Sequence, residues 1–387
     1  MRTILKWLAR ILAAMSIALV VVGLWKREEI TRLWAVNSLF HEDKIVGNFS
    51  NMNAAFLSRP VARGTGPASP LTQGPDAPMP DGLDDWITAR QVTSLLVMKD
   101  GTVVHESYYL GTEPTDRRIS WSIAKSYLSA LFGVLLDECA IASIDDPVTK
   151  YAPQLKGSAY EAATIRNVLN MASGVTFDED YFDPKSDINR MGRVIALGGT
   201  LDDFTASFTE RFAAPGDEWQ YVSIDTHVIG MVIRGATGQS VTDLMSEKII
   251  APLELEQDGY YITDGAGVAF VLGGLNFTTR DYARFGQMIL QNGSYGGQQI
   301  VPAGWVADST AASAPTEPGK IGYGYQWWIP VGADPGEFLG RGVYGQYLFV
   351  DQARGVVIVV TGADRKFRDK GVHTSNVEMM RRIAREM

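Results

Sequence analysis

Ser122 and Lys125 stand three residues apart at the start of a long apolar run, and this spacing predicts nucleophilic catalysis. On a helix, residues three apart lie on one face, so the hydroxyl and the amine can meet. A serine hydroxyl is a weak nucleophile at neutral pH and needs a neighbouring base. A lysine can be that base when burial or a nearby positive charge lowers its pKa. The alternative is a helix-capping serine beside a lysine that extends to solvent.

Tyr221 and Ser223, at the end of the segment Gly216–Ser223, form a second candidate pair. Two residues at this spacing can project together from a loop. Tyr221 would share a proton with Lys125, as acid or base, if its own pKa were lowered. Ser223 would join the same hydrogen-bond network. The alternative for Tyr221 is an ordinary buried tyrosine whose hydroxyl group has a partner.

The glycine-rich segment Gly340–Gln346 precedes a β-prone run and is the third candidate. Glycines there allow the backbone to come close to a ligand. A backbone N–H of such an edge strand can join the N–H of Ser122 as an oxyanion hole. The alternative is a glycine-rich turn before a strand.

The segments that must position these groups have patterns that predict an α+β fold. Two β-prone runs around Asp100-Gly101, within residues 93–108, indicate a hairpin. Residues 347–351 and 355–360 indicate a second hairpin, with a strand over 323–329 before it. The middle of the chain has helical periodicity, over residues 123–136, 164–171, 226–236, 241–250 and 279–290, and a closing helix is predicted over 376–385.

Strands at both ends of the body predict one antiparallel sheet assembled from both ends and flanked by helices. A helical subdomain, at about residues 140–310, would be inserted between its parts. A cleft where the two parts meet is the expected site.

Residues 1–30 are predicted to be a membrane anchor or a signal sequence. Ile4–Trp25 is mostly apolar, and Arg2, Lys6 and Arg10 precede its uncharged part, Ile11–Trp25. The length of the full run approaches the ~20 residues that cross a bilayer. No small-residue cleavage site follows, so an uncleaved anchor is preferred to a cleaved signal or a buried helix. The positive-inside rule slightly favours a cytoplasmic terminus. The catalytic domain would then be periplasmic or otherwise extracytoplasmic.

The rest of the chain is predicted to be a connector over residues 31–90, rich in Pro and Gly from Arg59 to Leu83, followed by a hydrolase domain over 91–387. The net charge of −9 argues against a nucleic-acid partner. The single cysteine, Cys139, permits no internal disulfide and is predicted to be a small core residue.

Neither a metal nor an organic cofactor is predicted. The four histidines show no metal-ligand spacing, and they are His41, His105, His227 and His373. His227 is predicted to be a helix-surface or core residue. A P-loop motif and the Gly-x-Ser-x-Gly elbow are absent from the sequence, and no dinucleotide-binding site is predicted.

Taken together, the Ser-x-x-Lys, Tyr-x-Ser and glycine-containing strand motifs resemble the serine β-lactamase and penicillin-binding-protein superfamily. Within it they most resemble class C β-lactamases, family VIII carboxylesterases and 6-aminohexanoate-dimer hydrolases, over about Asn48–Met387. The resemblance implies a β-lactamase/transpeptidase-like fold. It also implies an acyl-enzyme on Ser122, with Lys125 and Tyr221 as general base and acid, and the N–H groups of Ser122 and Val343 as the oxyanion hole.

The resemblance further implies a set of substrate-binding residues. Tyr181 matches a mobile-loop tyrosine that contacts the amide leaving group, and Asn276 matches a pocket residue. The remaining substrate-binding candidates are Ser223, Gly342 and Tyr344.

Two departures from the family pattern bear on the substrate. Gly340-Arg341-Gly342 replaces Lys-Thr-Gly, whose lysine holds the carboxylate of β-lactams, and Ser223 stands where class C enzymes have asparagine. No class A-type glutamate is assigned, so Tyr221 and Lys125 would also serve deacylation. The prediction is a membrane-tethered serine hydrolase of small esters or amides. The alternatives are a β-lactamase or D-Ala-D-Ala carboxypeptidase, or a penicillin-binding-type sensor without turnover.

Overall fold

The computed structural model describes residues 2–387, and its core is a large sheet in which every pair of neighbouring strands but one edge pair is antiparallel. The strands are β1 (Ser58–Val61), β2 (Thr72–Gln73), β3 (Val92–Lys99), β4 (Thr102–Tyr108), β5 (Arg118–Ile119), β6 (Gly259–Ile262), β7 (Leu275–Phe277), β8 (Ser294–Tyr295), β9 (Gln298–Gln299), β10 (Gly322–Tyr323), β11 (Trp328–Ile329), β12 (Glu337–Gly342), β13 (Gln346–Asp351) and β14 (Val356–Gly362). The large sheet has the order β10-β11-β12-β13-β14-β3-β4-β2.

Both predicted hairpins are confirmed. Strands β3 and β4 turn at Asp100-Gly101, where both residues have positive φ, and β13 pairs with β14. Because β14 pairs with β3, the two ends of the body meet in the middle of one sheet, as predicted. The single strand predicted over 323–329 is instead two short paired strands, β10 and β11, since the chain turns between them.

A smaller sheet that the sequence analysis did not predict has the order β1-β6-β7-β5. Strand β5 leads directly into the nucleophile segment, and its partner β7 follows the stretch that includes Leu272. This sheet therefore fixes the chain on both sides of the site.

The helices surround the large sheet and fill the space between the two sheets. They are α1 (Arg2–Trp25), α2 (Arg27–Ser38), α3 (Ile45–Ser50), α4 (Met52–Ala55), α5 (Leu83–Ala89), α6 (Ile123–Asp137), α7 (Ile165–Leu169), α8 (Asp187–Ala196), α9 (Leu201–Ala206), α10 (Ser223–Thr237), α11 (Val241–Met245), α12 (Ala251–Leu253), α13 (Thr279–Leu290), α14 (Ala303–Ser309) and α15 (Val372–Glu386).

Helix α6 is the central helix of the molecule. Its residues from Ile123 to Leu135 are all buried, because its sequence is apolar on every face and it packs among α10, α14 and strand β12. Glycine in β12 allows this approach, since a Cβ atom at Gly340 would lie 3.3 Å from Ser126 Oγ. Cys139, just beyond the helix, is exposed, so its predicted place in the core was wrong. It has a φ of 59°, and the chain turns away from the core there.

The amino-terminal part of the chain has more regular structure than an extended connector. Helix α1 is long and apolar enough to cross a membrane, and none of its residues is buried. Within residues 31–90, helices α3 and α4 cover the body and β1 pairs with β6. The domain boundaries themselves stay predictions.

Candidate active site

Ser122 and Lys125 meet at the amino-terminal end of α6. Ser122 occupies the N-cap position, and its side chain makes no capping hydrogen bond, so the hydroxyl remains free for chemistry. Lys125 Nζ lies 3.0 Å from Ser122 Oγ and donates a 2.6 Å hydrogen bond to the Leu272 carbonyl. The lysine is only 1% exposed. The capping and solvent-directed alternatives therefore do not describe this pair.

Burial changes the proton affinity of Lys125. Desolvation lowers its pKa to about 7, against the opposing effect of the Glu179 carboxyl. A charged ammonium loses more by leaving water than a neutral amine does. A large share of Lys125 is consequently neutral near pH 7 and able to accept a proton from Ser122.

Tyr221 contacts both members of the pair. Lys125 Nζ lies 5.4 Å from the centre of its ring, and the ring stacks on Trp328 with centroids 4.9 Å apart. Burial and the nearby Glu179 raise the pKa of Tyr221 well above its usual value, although hydrogen bonding with Ser122 acts in the opposite direction. The condition of a lowered pKa for Tyr221 is not met, because desolvation outweighs the neighbouring donors. Tyr221 is therefore suited to donate or relay a proton rather than to act as a phenolate.

The backbone N–H groups of Ser122 and Val343, the predicted oxyanion donors, are both unpaired in the described residues. Neither donates a hydrogen bond to any acceptor within residues 2–387. Gly342 brings the two segments together, since a Cβ atom there would lie 2.6 Å from the Ser120 carbonyl. Two unpaired donors beside a free serine hydroxyl can stabilise the negative charge of a tetrahedral intermediate.

Left-handed backbone conformations flank both donors. Trp121, before Ser122, has a φ of 44°, and Tyr344, after Val343, has a φ of 61°. Such values are uncommon for bulky residues and persist only where packing enforces them. The two rings pack with Phe40 and Phe49 in one aromatic cluster, in which Phe40 stacks on Tyr344 at 4.8 Å and Phe49 lies 5.5 Å from Trp121. This cluster fixes the backbone next to both N–H groups.

Glu179 is a buried carboxyl group that the sequence analysis did not assign to the site. Its Oε1 accepts a hydrogen bond from the Ser223 backbone N–H at the start of α10, and its Oε2 is buried without a partner. Desolvation raises its pKa, while Lys125 and the Ser223 donor oppose the shift. The one signal for it in the sequence is its position in the acidic loop of residues 177–183, in which only Tyr181 is predicted to reach the substrate.

Two pockets meet at Ser122 and share Tyr181 and Val343. The first, called the apolar pocket, has a volume of about 110 Å³, and the second, called the polar pocket, about 200 Å³. Apolar residues from three parts of the chain line the apolar pocket: Val36, Leu39, Phe40, Met52 and Phe56; Ile188, Met191 and Ile195 of α8; and Phe270 and Leu272. The polar pocket is lined by Glu179, Tyr221, Trp328, Arg341, Gly342, Phe367 and Arg368.

The structure brings most of the predicted substrate residues to these pockets. Ser223 and Tyr344 line the apolar pocket, Gly342 lines the polar one, and Tyr181 lines both. Asn276 lines neither: it is fully buried in β7, where its Nδ2 donates to the Gly274 carbonyl at 2.8 Å. Its predicted place in the substrate pocket was wrong, because the small sheet encloses it. His227 is also buried, paired with Asp202 at 2.7 Å.

Comparisons with known proteins identify the family of the chain. The Beta-lactamase family model matches residues 83–374. The 6-aminohexanoate-dimer hydrolase of Paenarthrobacter ureafaciens is 32% identical over 295 residues, which cover 73% of this chain and 74% of that protein.

Solved structures share the fold. A Bacillus anthracis protein described as a candidate 6-aminohexanoate-dimer hydrolase superposes with a TM-score of 0.80 at 24% identity, covering 89% of this chain and 95% of the other. A D-stereospecific amidohydrolase from Streptomyces gives a TM-score of 0.57 at 19% identity, covering 76% of this chain and 99% of the other.

The fold is of the β-lactamase/transpeptidase-like class, and the chain is a hydrolase of the serine type. The chain belongs to the Beta-lactamase family.

Proposed function

We propose that this protein hydrolyses small esters or amides through an acyl-enzyme on Ser122. The observation that carries the proposal is the buried Lys125 amine, 3.0 Å from Ser122 Oγ, with its pKa lowered to about 7 by desolvation. A neutral amine at this distance can accept the hydroxyl proton.

The reaction then follows from the positions of the donors. Lys125 takes the Ser122 proton, directly or through Tyr221, and Oγ bonds to the substrate carbonyl carbon. The N–H groups of Ser122 and Val343 hold the oxyanion. Tyr221 donates its proton to the leaving oxygen or nitrogen as the bond to carbon breaks, and the Lys125 ammonium restores the tyrosine proton. Water attacks the acyl-enzyme with Lys125 as base, and Ser122 regains its proton as the acid is released.

Tyr221 also determines where each half of the substrate lies. It lines the polar pocket and not the apolar one, so a leaving group protonated by Tyr221 occupies the polar pocket. Arg341, whose guanidinium lies 5.2 Å from the centre of the Trp328 ring, can attract an anionic leaving group there.

Helix α1 supports a membrane location for this activity. It is long and apolar enough to span a bilayer, and we propose that it is an uncleaved anchor with the hydrolase on the extracytoplasmic side. Trp25 and Trp34 are 77% and 73% exposed, as expected of residues at a membrane–water interface.

The test compares Ser122→Ala with Ser129→Ala, a matched change two turns further along α6. Ser129 Oγ is buried without a partner and lines neither pocket, so its loss should leave turnover intact. Ser122→Ala should lower the hydrolysis of a nitrophenyl acetate by at least about 10⁴-fold and abolish labelling by a fluorophosphonate probe. Equal rates for the two variants would exclude the covalent mechanism. Rapid labelling of the natural chain without turnover would favour the penicillin-binding-type sensor.

A further inference from the structure

The apolar pocket has no charged group in its wall. Among residues 2–387, those that line it are aliphatic, aromatic or small and uncharged, apart from the hydroxyl groups of Ser122, Ser223 and the tyrosines and the amide of Asn189. An ionised group that entered this pocket would lose its hydration without gaining a partner of opposite charge. The pocket therefore selects against a charged substrate group.

The occupant of this pocket is the acyl half of the substrate. The pocket opens on Ser122, where the carbonyl carbon must lie. The leaving group is assigned to the polar pocket because Tyr221 lines only that one. The two substituents of a carbonyl carbon point away from each other, so the acyl chain extends into the apolar pocket.

The amino-terminal segment supplies one wall of the pocket. Val36 of α2 and the following Leu39 and Phe40 line it. Helix α2 is fixed to α8 across the pocket, since Arg32 Nε donates a 3.0 Å hydrogen bond to the Ala196 carbonyl. The pocket is thus closed by residues that the sequence analysis had assigned to a connector.

The size of the pocket sets the length of the acyl chain. An apolar cavity of ~150 Å³ takes a ligand the size of benzene, and the volume here is about 110 Å³. We propose that the substrate carries an uncharged acyl chain of at most about six carbons, seated in the apolar pocket. This inference rests on the proposed function, because it needs acyl transfer at Ser122.

The chain-length test uses the full chain in lipid nanodiscs and nitrophenyl esters of acetate, butanoate, hexanoate, decanoate and 6-aminohexanoate. The expected kcat/KM rises about fourfold for each methylene that the pocket buries, up to hexanoate, and falls again at decanoate. The 6-aminohexanoate ester has a chain of the same length with a terminal ammonium. It should react at least about 100-fold more slowly than hexanoate, because the ammonium finds no partner.

A variant that fills the apolar pocket tests whether this pocket sets the preference for acyl-chain length. Gly192 of α8 lines the pocket, and nothing lies within 4 Å of a Cβ atom built there. Gly192→Leu should lower the hexanoate-to-acetate ratio of kcat/KM by about tenfold. Gly47→Leu is the matched control, since Gly47 is also helical, has the same open surroundings and lines neither pocket. Leucine favours a helix more than glycine does, so both variants should fold.

The outcomes separate this inference from the proposed function. Two results would overturn the acyl-chain assignment and leave the serine mechanism standing. One is equal rates for the hexanoate and 6-aminohexanoate esters. The other is a hexanoate-to-acetate ratio of kcat/KM that Gly192→Leu leaves unchanged. Absence of turnover with every ester, together with absence of probe labelling, would overturn the proposed function itself.

Discussion

The two pockets that meet at Ser122 are built from different parts of the chain and differ in chemistry. The polar pocket is formed by the acidic loop, the start of α10 and strands β11 and β12, and it contains Glu179, Tyr221 and Arg341. The apolar pocket is formed by the amino-terminal segment, α8 and the stretch before β7. Apart from Ser122, Tyr181 and Val343, which line both pockets, the residues that would transfer protons in the proposed mechanism are thus separate from those that would receive the acyl chain.

This separation has a physical reason. Lys125 and Glu179 have shifted pKa values because the packed body excludes water around them. A charged residue in the wall of the apolar pocket would add an electric field near Lys125 and shift the pKa of this lysine. Because the apolar pocket is uncharged, the pKa of Lys125 is set by burial and by Glu179 alone.

The largest expected effect tests the role of the polar pocket in proton transfer. Tyr221→Phe removes the proton donor and should lower kcat for an amide by on the order of 100- to 10,000-fold. A nitrophenyl ester should lose less, because its leaving group departs without a proton. Steady-state kinetics with an amide and an ester that share the same acyl group measure the difference.

The matched control is Tyr323→Phe. Tyr323 lies 6.3 Å from Tyr221 between ring centres, and its hydroxyl is buried without a partner. Its rates should match those of the natural chain. Equal losses for amide and ester in Tyr221→Phe would assign the tyrosine a structural role instead of proton donation.

A smaller effect tests the charge of the polar pocket. Arg341→Gln should raise KM about tenfold for an ester with a carboxylated leaving group, because a charge-assisted hydrogen bond is lost. The matching ester without the carboxylate is the internal control and should keep its KM. Added salt should reduce the difference in the natural chain. A similar rise in KM for both esters would show that Arg341 shapes the pocket rather than binding an anion.

The smallest effect is a shift in pH dependence. Lys125 must be neutral to accept a proton, so kcat/KM should fall as the pH drops through about 7, the value to which burial lowers the pKa of Lys125. The Glu179 carboxylate raises that pKa, so Glu179→Gln should move the acid limb of the profile to lower pH. At pH 6 the variant should be several-fold faster than the natural chain. An unmoved limb would show that Glu179 carries a proton throughout the working range.

The sequence predicted the elements whose determinants are local. The turn at Asp100-Gly101, the apolar periodicity of α6 and the helix over residues 279–290 are properties of short windows, and the structure confirms them. The Ser122–Lys125 contact could also be predicted from the sequence, because helix geometry alone places residues three apart on one face. Their catalytic roles stay predictions.

The missed features depend on contacts between distant segments. Glu179 is buried because its loop packs on the first turn of α10, and nothing in the composition of an acidic loop indicates such packing. Asn276 was assigned to a pocket from a motif, yet the pairing of β7 with β5 and β6 encloses it. Cys139 was placed in the core by residue type, whereas its position beyond the end of α6 exposes it.

The aromatic cluster beside the two predicted oxyanion donors has a consequence for how the molecule is assembled. Its four rings come from positions 40, 49, 121 and 344, so the cluster forms only after regions from opposite ends of the polypeptide have docked. Contacts between residues so far apart in sequence generally form late in folding. The segments that carry the two predicted oxyanion donors are therefore ordered late, and a partly folded chain would expose the Ser122 hydroxyl before those donors stand beside it.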